Sequence, residues 1–86
     1  MKELTIENLN ELPTILRNAR KKQKLTQKQM SIHARISLNM IYLTEHGQCI
    51  PSMYILTKWA YALGFESIVI NTKGVINNVE QNGKFG

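Results

Sequence analysis

Five cationic side chains, Arg17, Arg20, Lys21, Lys22 and Lys24, crowd into one short stretch of this chain. Groups of that type at that spacing can neutralise the phosphates of a polyanion. They would also complement the dipole at the C-terminal end of a helix, but that role alone leaves a wider asymmetry unexplained. Residues 1–35 hold eight basic and three acidic side chains, whereas residues 36–86 hold three of each. The formal charge of +5 therefore resides entirely in the first 35 residues, an arrangement suited to a polyanionic partner.

Catalysis has far less to work with. The chain has six Glu and no Asp, so paired carboxylates for acid–base work and oxygen-ligand metal sites are poorly served. His33 and His46 lack a set of Cys or carboxylate companions at metal-ligand spacing, and a surface or capping role is the expectation for both. Cys49 is the single cysteine. It cannot form an intramolecular disulfide, it suits a reducing compartment, and no His stands near it in sequence to make it a nucleophile. Ser31 and His33 are too close on one helix to act as nucleophile and base. The five glycines fall at expected helix ends, at a strand boundary or in the tail, not in a phosphate-binding loop. No enzyme activity, cofactor or metal is expected.

The elements that must position the cations follow from periodicity. Leu12, Ile15, Leu16 and Ala19 form an i, i+3, i+4, i+7 set. With Asn10 as N-cap and Pro13 in the first turn, they predict a first helix over about 11–23. Thr26 and Gln29 form a capping box for a second helix over about 27–34, with Met30 and Ala34 inward. Ser37 caps a third helix of about 38–45, and Gly47 stands just past its end. Ser52 caps a fourth of about 53–63, whose apolar stripe is Met53, Leu56, Trp59, Ala60 and Leu63; Gly64 stops it. Core packing is the default for Trp59. The period then changes: Ser67 to Thr72 is β-branched and reads as a strand. A single strand needs a partner from its own chain or another. Leu4 and Ile6 alternate with polar neighbours, but the segment before residue 10 is too short to assign.

Length and composition set the frame. A chain of 86 residues, 43% of them apolar, makes one small globular domain. No apolar run approaches the roughly 18–20 residues of a membrane span. The start, Met1-Lys2-Glu3-Leu4-Thr5, does not read as a signal peptide, so a cytoplasmic location without membrane contact is expected.

Two short capped helices joined by a tight turn, with a basic helix before them and a fourth behind, make a helix-turn-helix arrangement. Leu25-Thr26-Gln27, Met30, Ile36-Ser37, Ile41, Glu45-His46-Gly47, Pro51-Ser52, Leu56, Ala60 and Leu63-Gly64 follow in register. In these residues the stretch from about 12 to 64 resembles the Cro/Xre-type phage-repressor helix-turn-helix family. The resemblance implies double-stranded DNA as partner. It implies that Gln27 opens the second helix, touches a phosphate and braces the reading helix. Ser37, Leu38, Asn39 and Leu43 then face base edges, Asn39 through an amide that can pair with adenine N6 and N7 for roughly 1–3 kcal/mol of discrimination. Arg17, Lys21, Lys24, Lys28 and Gln48 would hold the backbone.

The chain departs from the family pattern in three places. Arg35 replaces the glycine usual in the turn, where a left-handed backbone would cost roughly 1 kcal/mol of strain. Thr44 occupies a position normally filled by a large apolar core residue. The reading helix has no Lys or Arg and carries Leu38, Met40, Tyr42 and Leu43 around Ile41.

The strand after the fourth helix resembles that of HipB-like antitoxins, which implies pairing with its twin across a homodimer through Ile68, Val69 and Ile70. The fold expected is mainly α: four or five helices in a repressor-like helix-turn-helix domain, with one C-terminal strand that pairs across a dimer. The divisions expected are an N-terminal arm (1–10), the DNA-binding domain (11–64), a dimerisation strand (65–73) and a flexible tail (74–86), in which Val75-Ile76 could start a hairpin. The function expected is a sequence-specific transcriptional repressor on a palindromic operator. The alternative is an antitoxin with a toxin protein as partner, or a protein-interaction module that uses the apolar third helix.

Overall fold

The computed structural model describes residues 2–71. In chain order these form β1 (Glu3–Ile6), a single 3-10 turn (Leu9–Glu11), α1 (Leu12–Lys22), α2 (Gln27–Ala34), α3 (Leu38–Glu45), α4 (Met53–Ala62) and β2 (Ser67–Ile70). The four helices and the short parallel strand pair make the mainly α, repressor-like helix-turn-helix fold that the residues implied.

Local chemistry explains most helix boundaries. The Thr26 hydroxyl accepts from the Gln29 N–H at 3.0 Å, and the Gln29 side chain accepts from the Thr26 N–H at 2.9 Å, a complete capping box. Ser37 and Ser52 cap α3 and α4 by accepting from Met40 N–H at 3.1 Å and Ile55 N–H at 3.2 Å. The start of α1 differs from expectation. Asn8, not Asn10, supplies the capping oxygen, accepting from Asn10 N–H at 2.9 Å. It caps the 3-10 turn, and α1 continues from there with Pro13 in its first turn.

Arg35 ends α2 in the left-handed region, at φ 60° and ψ 46°. The turn is left-handed, with an arginine bearing the strain. Two side-chain bonds add to its backbone bonds: Lys58 Nζ donates to the Arg35 carbonyl at 2.9 Å, and the Ser31 hydroxyl donates to the Ile36 carbonyl. Lys24 is also left-handed, at φ 61°, where the chain leaves α1.

The core draws on β1 and all four helices: Leu4, Ile6, Leu12, Leu16, Met30, Ala34, Ile36, Ile41, Leu56, Trp59, Ala60 and Leu63 are buried. Met53, expected in the apolar stripe of α4, is exposed instead, because it stands at the first turn of the helix, beyond the reach of the core. Thr44 is fully buried, and its hydroxyl lies 3.4 Å from Cys49 Sγ and 3.6 Å from Met40 Sδ. A small polar pocket of soft sulfur atoms thus replaces the large apolar side chain.

The strand finds a different partner from the one expected. β2 pairs in parallel with β1 of its own chain, Leu4 opposite Ile68 and Ile6 opposite Ile70. The alternation of Leu4 and Ile6 is that of a real strand: both are buried, and Ile68 and Ile70 pack against the same core. The N-terminal arm is therefore part of the fold, and it takes one edge of β2. The tail and its hairpin at Val75-Ile76 lie outside the described residues.

Candidate nucleic-acid interface

Glu45, the last residue of α3, fixes that helix against its neighbours. It is the only carboxylate between Glu11 and Glu66, and its side chain is fully buried. Arg20 of α1 donates to both oxygens, Nε to Oε2 at 2.8 Å and Nη2 to Oε1 at 3.0 Å. This two-pronged geometry is the one in which a buried ion pair is best satisfied. Arg20 also donates to the Leu25 carbonyl at 2.7 Å, which ties in the entry to α2. Gln27, the first residue of α2, donates to Glu45 Oε1 at 3.1 Å, and Arg17 donates to the Glu45 backbone carbonyl at 2.9 Å. One carboxylate thus joins α1, α2 and α3.

These bonds redistribute the charge read from the sequence. Arg20 is consumed by Glu45 and faces no outside anion. Arg17 is half-buried, with its guanidinium committed to the end of α3. Lys21, Lys24 and Lys28 are exposed, as is Gln48 in the loop after α3. The first backbone N–H groups of α2 have no helical carbonyl to bond and, with the dipole behind them, favour an anion. Gln27 stands among them, half-buried and braced on Glu45.

On α3, Ile41, Thr44 and Glu45 face inward. Ser37, Leu38 and Asn39 are exposed at its N-terminal end, Leu38 to 45%. Ser37 spends its oxygen on the cap, which leaves its hydroxyl hydrogen available to an acceptor. Leu43 is half-buried, and Tyr42 takes the exposed position at 46%. The structure thus brings Ser37, Leu38 and Asn39 together and turns Leu43 partly away. Of the strand residues, Val69 is exposed while Ile68 and Ile70 are half-buried against the core.

Sequence reasoning missed Arg20 and Glu45 as the pair that sets the angle of α3. A signal existed: a solitary carboxylate in the middle of a basic chain. Among the described residues no group of three His, Cys, Asp or Glu side chains could hold a metal ion, and no helix is long and apolar enough to cross a membrane.

No protein-family model matches the chain, and no curated protein matches it. Among solved structures, the chain is similar to the restriction-modification controller protein C.AhdI from Aeromonas hydrophila. The identity is 26%, the TM-score 0.64, and the match covers 67% of this chain and 88% of that one.

Proposed function

We propose that this chain is a DNA-binding transcription regulator: a cytoplasmic repressor that reads a palindromic operator as a homodimer. The observation that carries the reading is the junction at Glu45. It holds α3, whose exposed face is uncharged, at a fixed angle beside the cations of α1 and α2. Affinity then comes from phosphates at Lys21, Lys24, Lys28 and Gln27, with Arg17 and Gln48 beside them, and specificity from Ser37, Leu38 and Asn39. The likeness to a restriction-modification controller protein supports a regulator. A symmetric dimer through the second edge of β2, with Val69 across the joint, would put two reading helices roughly 34 Å apart, one turn of duplex.

Selection of duplexes from a random pool tests binding, palindromy and half-site spacing together. If each subunit neutralises about four phosphates, the log–log salt slope of the dimer is about −7. Lys21→Ala should weaken operator and random DNA equally, while Asn39→Ala should lower only the preference for the operator. Binding that ignores salt would contradict the reading, and a solution mass of one chain at micromolar concentration would remove the dimer.

Exposed Leu38 and Tyr42 favour a second reading, an antitoxin or interaction module that uses α3 on a protein such as a toxin. Leu38→Glu separates the two: loss of a captured protein partner supports the module, and loss of DNA binding alone supports the repressor.

A further inference from the structure

Asn39, Tyr42 and His46 stand at i, i+3 and i+7, the spacing of one helix face, and all three are exposed. Tyr42 and His46 have no part in the readout described above, yet they are firmly held. Their ring centroids lie 4.0 Å apart with planes tilted by 32°. His46 Nδ1 is 2.8 Å from the Tyr42 backbone carbonyl. A carbonyl can only accept, so Nδ1 carries the hydrogen, and in the neutral ring Nε2 is left as a bare acceptor. Neither Nε2 nor the Tyr42 hydroxyl has a hydrogen-bond partner among the described residues. Side chains held this way lose little further freedom when a ligand arrives.

We infer that Tyr42 and His46 are specificity-determining residues for the DNA reading on which this rests. The unpaired Nε2 accepts from the exocyclic amino group of adenine or cytosine, the two bases that offer such a donor in the major groove. The Tyr42 ring, stacked on the imidazole, holds it in place and covers the adjacent base edge. Asn39 and His46 are about 10 Å apart along the helix axis at 1.5 Å per residue. That length equals about three base steps at 3.4 Å each. Asn39 and His46 therefore meet different base pairs of the half-site.

The test uses the full chain and duplexes selected from a random pool. His46→Ala and Tyr42→Ala should each lower discrimination about tenfold at one base pair of the half-site. Discrimination at the Asn39 position and affinity for random DNA should hold. The base enriched by the wild type distinguishes adenine from cytosine. A second measurement needs no variant: in the selected duplex, an analogue without the exocyclic amino group replaces that base. Wild-type affinity should fall about tenfold. Variants that select the wild-type sequence base for base, or an analogue that binds as well as the parent, overturn the inference and leave the DNA reading standing. A wild-type chain that enriches no sequence overturns both.

Discussion

The end of the molecule that carries α3 is fixed by a buried carboxylate with directional bonds, whereas the end that carries β1 and β2 is closed by aliphatic side chains. At the first, Glu45 accepts from Arg20 and Gln27 and sets three helices at defined angles. At the second, Leu4, Ile6, Ile68 and Ile70 pack in a short sheet against the core. Apolar packing tolerates small shifts, and a hydrogen-bonded ion pair does not. On the proposed function, α3 must meet base edges to within a fraction of an ångström, and the directional chemistry stands where that angle matters. The sheet has only to keep water out.

Three substitutions sharpen this contrast. Glu45→Ala leaves Arg20 buried without its counter-charge and should cost about 3–5 kcal/mol in urea unfolding. It should also cost DNA affinity in any fraction that remains folded. Ile6→Ala, at a fully buried position, should cost about 2–4 kcal/mol through the cavity it leaves. DNA specificity should survive it under conditions where the variant stays folded. Equal damage to specificity from both would erase the distinction between the two ends. The smallest effect has the opposite sign. Arg35→Gly relieves a left-handed backbone and should raise stability by about 1 kcal/mol, seen as a higher thermal midpoint. A fall would mean that the Arg35 side chain contributes more than its backbone costs.

What could be read from the chain was local. Thr26 with Gln29, Ser37 and Ser52 act on N–H groups three residues away, so their roles are written in neighbouring letters. The left-handed turn at Arg35 came instead from the resemblance, which puts a glycine at that position. β1 was not: four residues with two inward side chains become a strand only when residues 67–70 arrive beside them. The bond from Arg20 to Glu45 likewise joins residues that periodicity treats separately. The reading face of α3 was legible in part. Ser37, Leu38 and Asn39, which the resemblance set facing base edges, are exposed. The exchange of Leu43 for Tyr42 depends on how far the helix is rotated, which Glu45 decides and no local pattern records.

The parallel pairing of β1 with β2 also has a consequence in time. It joins residues 3–6 to residues 67–70, so closing it means first gathering nearly all of the described chain. The entropy of such a long closure is lost before any strand contact repays it. The helices, with their local caps, can organise earlier, and the sheet should be the last part to form. By the same reasoning its amides should exchange with solvent sooner than those of α1 to α3. The aliphatic end of the molecule would then open while the Glu45 junction still holds.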